Sequence, residues 1–322
     1  MPTLLNISTN EQNPVYVDVN KVTALRVEGD GLHLYNEQGD AGSFSLKYSS
    51  IEISDVVQKL ADIGYPLVSL PQRYTDSETP LYVLPSAVNY ITVSQADNNG
   101  MHGVIAAVRG YGWPESNQVS AAELKIFLDA VKAVENKTLL EYTPDQATSR
   151  WIKPQALYID PQAVTKISDD GWQVSISFEG NKGCIDVHVE RNEMAVAKHL
   201  LETNKGKYPS LTEAFADVAA TIKQTHEGFI QGLSNANPGL TRLASDGRQV
   251  FLRLQDIIGL SVTENKGGDA RFSLQLKTSQ EISDRHSFSY PTRAELDQAM
   301  QLFKPLIAAS KAQPKKPGGP GL

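Results

Sequence analysis

Tyr16-Val17-Asp18-Val19-Asn20-Lys21-Val22 decides the reading of the fold, because the same pattern returns three more times without a gap. The later copies are Tyr82-Val83-Leu84-Pro85-Ser86-Ala87-Val88, Tyr158-Ile159-Asp160-Pro161-Gln162-Ala163-Val164 and Phe251-Leu252-Arg253-Leu254-Gln255-Asp256-Ile257. Each has an aromatic, an aliphatic, a four-residue spacer that leans polar, and a closing aliphatic. A short apolar flank precedes each one: Leu4-Leu5-Asn6-Ile7, Leu67-Val68-Ser69-Leu70, Leu139-Leu140-Glu141-Tyr142 and Leu240-Thr241-Arg242-Leu243. The cassettes start 66, 76 and 93 residues apart, so the pattern tolerates insertions. Fixed-order units at such spacings mark duplicated supersecondary modules.

Strand-like runs follow each cassette. Phe44, Leu46 and Tyr48 alternate with polar neighbours, as do Val174, Ile176 and Phe178, then Ile185, Val187 and Val189, then Phe272, Leu274 and Leu276. Period-two alternation predicts strands with one face on a core and one in water. Gly29-Asp30-Gly31, Asp97-Asn98-Asn99-Gly100, Gly180-Asn181-Lys182-Gly183 and Lys266-Gly267-Gly268-Asp269 supply the turn chemistry of tight hairpins. A helix then closes each module. Ser54 is the expected cap of the first, with Val56, Val57, Leu60 and Ile63 on one face. Ser120 with Glu123 and Thr292 with Glu295 form capping boxes for the second and fourth, and Asn192 is the expected cap of the third. Ser210 with Glu213 starts an extra helix through Leu211, Phe215, Val218 and Ile222. This one is read as packing against modules rather than binding a partner.

The predicted fold class is therefore α+β: four tandem small modules, each a curled antiparallel sheet closed by one helix, with an extra helix between the third and fourth. The expected boundaries are 1–65, 66–137, 138–206, an inserted helical segment 207–238, 239–307, and a basic, Pro/Gly-rich tail 308–322 expected to be disordered. Pro66, Pro71, Pro80, Pro144, Pro154 and Pro238 fall near the joints.

At the fourth module, Leu240-Thr241-Arg242-Leu243, Asp246-Gly247-Arg248, Val250-Phe251-Leu252 and Asp256-Ile257-Ile258 resemble the FlbD-type family of short proteins from flagellar operons. The resemblance is clearest over 240–258. It implies a strand, turn, strand and terminal-helix unit with an adaptor-like or regulatory role and no catalytic residues to carry over. The present chain departs from that family by fusing four copies and lengthening the loops.

The chain has 322 residues, 40% hydrophobic and 21% charged, enough to bury a core. Its 30 basic and 37 acidic residues argue against a general nucleic-acid coat or membrane-surface binder. The acidity sits in residues 1–137, with 9 Lys/Arg against 16 Asp/Glu, while 138–322 balance at 21 of each. Met1–Val15 have no basic residue and no apolar run of signal-peptide length, and nothing approaches a membrane span, so a cytoplasmic location without membrane contact is expected. The single cysteine, Cys184, allows no internal disulfide.

No catalytic or cofactor signature stands out. The six histidines, His33, His102, His188, His199, His226 and His286, form no HExxH and no pair at metal-ligand spacing, and there is no phosphate-binding glycine loop. No catalytic, cofactor or metal residue is therefore assigned, and the chain is read as a non-enzyme without cofactor. Two loops are candidate partner-binding sites: Arg109, Tyr111 and Trp113 within Arg109-Gly110-Tyr111-Gly112-Trp113-Pro114, and Arg150 with Trp151. Trp, Tyr and Arg dominate interface hot spots. The competing reading tucks Trp113 under its own module. The leading functional expectation is a protein-interaction or assembly scaffold, viral or cellular, that docks other proteins, with copies of itself as a variant, through strand edges and loops. One alternative is a nucleic-acid-associated factor using local basic surface of the C-terminal half. The other is a small-ligand binder or enzyme using the loop 109–114.

Overall fold

The computed structural model describes residues 3–7, 14–28, 31–36, 46–47, 50–70, 81–111, 116–143, 152–153, 156–169, 173–181, 184–189, 202, 206–245, 248–265, 271–278 and 285–312. The architecture is α+β, with several small antiparallel sheets and few helices. Two compact units are present: Met1–Thr165 with Trp172–Asn237, and Lys166–Gly171 with Pro238–Leu322.

All four cassettes fold into the same backbone. A short strand enters a three-residue 3-10 turn, and a second strand leaves it. The turns are Val19–Lys21, Pro85–Ala87, Pro161–Ala163 and Leu254–Asp256. Sequence explains the bend. Pro85 and Pro161 stand at the start of their turns, where a fixed φ is already right and no donor is lost. Asp18 and Asp160 cap theirs, accepting from the N–H groups of Asn20 and Gln162 at 3.3 and 3.0 Å. The closing aliphatics Val22, Val88, Val164 and Ile257 each donate a backbone N–H to the carbonyl three residues back.

In the first unit, β1 (Leu4–Asn6) and β2 (Tyr16–Asp18) form a two-stranded sheet among the described residues. A five-stranded sheet then runs β5 (Leu46–Lys47), β4 (Gly31–Asn36), β3 (Val22–Glu28), β7 (Leu81–Val83), β6 (Val68–Leu70). The next runs β10 (Ser116–Ser120), β9 (Met101–Val108), β8 (Val88–Ala96), β13 (Ala156–Ile159), β11 (Leu140–Tyr142). Further on, β12 (Ile152–Lys153) pairs with β16 (Cys184–Val189), which pairs with β15 (Gln173–Phe178). The second unit takes residues Lys166–Asp169 of β14 (Val164–Asp169), which pair with β18 (Arg248–Arg253), itself paired with β17 (Leu240–Ser245). It also holds the three-stranded sheet β19 (Ile257–Asn265), β20 (Arg271–Thr278), β21 (Arg285–Tyr290).

The sheets cut across the sequence segments. Strands β6 and β7 fall in segment 66–137, yet they complete the sheet begun by β3 to β5 in segment 1–65. Three such junctions share one register. Val83 faces Ala24, Ile159 faces Tyr90, and Leu252 faces Lys166. In each, the second cassette residue meets the residue two past the previous cassette. The flanks are in register too: Leu5 faces Val17, Val68 faces Val83, Leu140 faces Ile159, and Thr241 faces Leu252. Just past the turn, the hairpin ladder shifts at Val22/Ala24, Val88/Tyr90 and Ile257/Gly259. These bulges sit where each strand bends away from its turn.

The first sheet separates two cores. Leu25, Leu32 and Leu34 point into one with Val19, Ile53, Val56 and Leu60, while Ala24, Leu70, Leu81 and Val83 point into the other with Ile91, Val104, Phe127 and Val131. Alternate residues of β3 thus serve opposite cores, as the period of two demands. In the second unit Leu243, Val250, Leu252, Leu274, Leu276, Phe288, Leu296 and Phe303 form the core.

The expected alternations at 174–178 and 272–276 lie in β15 and β20, with Val174, Ile176, Phe178, Leu274 and Leu276 buried. The remaining hairpin glycine clusters at 29–30 and 266–270 lie outside the described residues, while Asp97–Gly100 forms a turn in which the Asp97 carboxylate accepts from Asn99 and Met101 at 2.8 and 2.9 Å. Both capping boxes form, ahead of α2 (Ala121–Lys132) and α4 (Arg293–Gln301). Helix α1 (Ser50–Asp62) starts a full turn before the expected cap, so Ser54 is an exposed interior residue, and Ile53 takes the core place expected of Ile63. The helix expected from Asn192 lies outside the described residues. The extra helix, α3 (Leu211–Ala236), begins at its Ser210 cap and runs 26 residues. Helix α5 (Lys304–Ala312) carries ordered structure past residue 308, and 313–322 lie outside the described residues. Among the described residues, no helix is long and apolar enough to cross a membrane.

Replacing Ser120 or Thr292 by Ala is expected to cost about 1 kcal/mol each in urea unfolding, the usual worth of a helix cap. Ser54→Ala should stay within about 0.5 kcal/mol of wild type, as expected of an exposed helix-interior site.

Candidate interaction surfaces

The loop after β9 starts at the candidate residue Arg109, and the structure describes it as far as Tyr111. Tyr111 is buried. Its ring stands edge-on to Tyr35 at 4.5 Å, and its hydroxyl accepts from the Arg26 guanidinium at 3.2 Å. The aromatic expected to greet a partner is part of the core instead, with its polar tip satisfied by an arginine from β3. Arg109 is half-buried. Its backbone N–H meets the Ala87 carbonyl at 2.9 Å, and its stem lies over Gly180. A Cβ at Gly180 would sit 2.7 Å from the Arg109 Cγ, and the backbone there has φ +70°, so both space and conformation require glycine. Trp113, Arg150 and Trp151 lie outside the described residues.

A polar network beside this loop carried no sequence signal. Asn89 sits at the bulge past the second turn, fully buried. Its amide donates to the Glu179 carbonyl at 2.8 Å and to the Asn181 side chain, and Asn181 in turn donates to the Val108 carbonyl at 3.1 Å. Gly110 N–H meets the Gly180 carbonyl at 3.1 Å. Tyr90 packs on Phe178 at 4.7 Å. The hairpin end after β15 is thus stitched to the one after β9. Burial, with the Cys184 thiol adding a smaller contribution, pushes the Tyr90 phenol up to about 12.

A second buried site joins successive turns. Lys137 Nζ lies 3.1 Å from the Asp160 carboxylate and donates to the carbonyls of Ser86 and Val88, with both ionic side chains largely buried. Burial pulls the Lys137 amine below the usual lysine range, and Asp160 opposes that pull. A depressed lysine can be a nucleophile or base. Here, however, its donors are directed at two backbone carbonyls and the cap of the third turn, which makes it a structural clip. The extra helix docks on that same third turn. Asn237 donates to the Pro161 and Val164 carbonyls at 2.8 and 3.0 Å, Gln162 donates to the Ala236 carbonyl at 2.7 Å, and Phe229 packs on Tyr142 at 4.4 Å. That is the packing role expected for α3.

Cys184 is exposed at the start of β16, its thiol 3.8 Å from the Asp186 carboxylate. A neighbouring carboxylate disfavours the thiolate that nucleophilic chemistry needs. Among the described residues, no three His, Cys, Asp or Glu side chains gather to hold a metal ion.

Exposed large apolar side chains lie both on or just past helices, at Ile63, Ile126 and Leu302, and on strands. The large exposed hydrophobics include Leu4 and Tyr16 on β1 and β2, and Ile258 and Val262 on β19. No family model matches this chain, and no curated protein matches its sequence.

Lys137→Met should destabilise the fold by roughly 3 kcal/mol in denaturant unfolding, since it strands a buried carboxylate. Adding Asp160→Asn, which keeps the cap acceptor, should restore part of that loss; a fully additive double variant would show that the two groups are not coupled.

Alkaline titration tests Tyr90. Its folded pKa is raised above the ordinary 10.0, so above that pH the unfolded chain loses a proton that the folded chain keeps. Stability should therefore fall as pH rises past 10, by up to about 1.4 kcal/mol per pH unit from this group until it ionises in the folded state. Tyr90→Phe should flatten that part of the profile, read by chemical unfolding at each pH.

Proposed function

We propose that this chain is a non-enzymatic protein-interaction or assembly scaffold. Four related β-rich modules, the fourth of which resembles the FlbD-type unit over 240–258, are linked in tandem on this reading, and their strand edges and loops dock other proteins. The observation that carries the reading is the shared register of the three junctions, where a hairpin from the following segment is added to a preceding sheet edge. A chain that builds its own sheets by strand addition presents backbone edges of the kind that bind partner strands. The backbone repeated at the four turns supports a duplicated origin. Linked copies multiply docking sites and raise avidity where geometry lets them engage together.

Cross-linking of the native protein in lysate, followed by mass spectrometry, should place links to other chains along β1, β2 and β19. A thermal-shift screen with nucleotides and common metabolites should leave the melting midpoint unmoved. A ligand that raises it by several degrees would favour the small-ligand reading, and salt-sensitive DNA or RNA binding would favour the nucleic-acid reading.

A further inference from the structure

The junction register repeats between segments, and among the described residues the β1–β2 pair and β19 each carry one half of it without the other. At the C-terminal end, β19 is the counterpart of β3 and β8, each of which receives a hairpin on the edge opposite its own hairpin partner. Among the described residues, no strand pairs with that edge of β19. The turn leading into it buries none of its residues, whereas the first three turns bury Val19, Pro85 with Ala87, and Pro161 with Ala163. Ile258 is 59% exposed and Val262 38%. The counterparts of Ile258, namely Thr23, Asn89 and Thr165, are buried, as is Val93, a counterpart of Val262.

At the N-terminal end, β1 and β2 form a donor pair that joins no larger sheet among the described residues. Both have three residues, as do β6 and β7, which make the same kind of pair and are taken up by β3. Leu4 is 61% exposed and Tyr16 56%. Their counterparts are covered: Leu67 and Leu139 are half-buried and Leu240 is buried, while Tyr82 and Tyr158 are half-buried and Phe251 is buried. Repeat arrays that remain single end in polar caps, because a bare apolar end invites association. Here Leu4 and Tyr16 at one end and Ile258 and Val262 at the other are exposed, and among the described residues neither edge is paired.

We infer that the β1–β2 pair of one chain adds to the β19 edge of a second copy, giving head-to-tail assembly. This rests on the strand-addition reading above and names the occupant of its two terminal edges. The internal junctions specify the register. Val17 lies opposite Gly259 of the second copy, as Val83 lies opposite Ala24. The Asp18 N–H donates to the Ile258 carbonyl of the second copy, as Leu84 donates to Thr23 and Asp160 to Asn89. Tyr16 and Leu4 then cover apolar surface beside β19. The contact joins unlike surfaces, so it propagates into open chains or closes into rings.

Light scattering coupled to size-exclusion chromatography of the full chain tests this. The average mass should rise with concentration above the 35.2 kDa of one chain. Leu4→Asp with Tyr16→Asp blocks the donor end, and Ile258→Lys with Val262→Lys blocks the acceptor end. All four side chains are exposed, so each blocked chain should keep the wild-type circular dichroism and melting midpoint while running as a monomer. An equimolar mixture should give a species of twice the chain mass and nothing larger, because only one functional interface remains per pair. As a second measurement, Val17→Cys and Gly259→Cys chains in a Cys184→Ser background should oxidise to a disulfide dimer, while Val17→Cys with Thr263→Cys should not. Gly259 tolerates a Cβ, which would meet Lys277 at an ordinary 3.5 Å. A wild-type chain that is monomeric at every concentration overturns the inference, whether or not its donor pair folds onto its own β19. So does an oligomer that survives both blocks, or a mixture that fails to pair. If a monomeric wild-type chain still cross-links to other proteins in lysate, self-assembly fails while the scaffold reading stands.

Discussion

An unpaired strand edge presents a row of backbone donors and acceptors that must find partners, and this chain meets that need with the next hairpin along its own sequence. The rest of the structure follows from that constraint. To leave one sheet and enter the next, the backbone must turn sharply without stranding polar groups. The four 3-10 turns do so by returning an N–H to the carbonyl three residues earlier. Beyond three of the turns the strand must then separate from its neighbour, and the bulges at Thr23, Asn89 and Ile258 provide that bend. Where the bulged residue is covered, as at Thr23 and Asn89, its carbonyl accepts the backbone N–H of the incoming hairpin.

Polar clips then hold successive turns together. Lys137 and Asp160 span the second and third, Asn89 and Asn181 link the hairpin ends beside them, and Asn237 closes the third turn from the end of α3. Each is buried or half-buried: Lys137, Asn89, Asn181 and Asn237 donate to backbone carbonyls, while Asp160 accepts from Lys137 and from the Gln162 N–H. Their strength comes from the low local dielectric, which also makes removing one partner expensive. Tyr111 belongs to the same pattern. A residue from the end of one hairpin is buried in the core of its own segment and held there by Tyr35 and Arg26 of the preceding one.

The cassettes were legible because strand alternation, turn chemistry and capping are local properties of the sequence. The flank-to-cassette register follows the repeat alignment at all four copies, and both capping boxes form at the serine and threonine expected of them. Sheet membership was not legible. Nothing in residues 81–83 tells whether they pair backward with β3 or stay within their own segment, since partner choice is decided by tertiary packing. The early start of α1 went unread because Ser50-Ile51-Glu52-Ile53 carries β-branched residues that propensity places outside a helix, and burial of Ile53 overrides it. The burial of Tyr111 and the Lys137 clip were equally hidden, because a loop aromatic and a lone lysine look the same in sequence whether they face water or a neighbouring sheet.

Building each sheet from two segments has a consequence for how the chain is made. Strand β3 keeps a bare edge until Leu81–Val83 has been synthesised, and β8 waits likewise for Ala156–Ile159. The pairing residues are about 55 to 69 positions apart, so these contacts close late and slowly relative to local hairpins. During translation on the ribosome, each completed meander is therefore an exposed template for strands from neighbouring nascent chains. On a crowded polysome, protection comes from the arrival of the next segment in order, and a stall between segments leaves the preceding sheet open to mispairing.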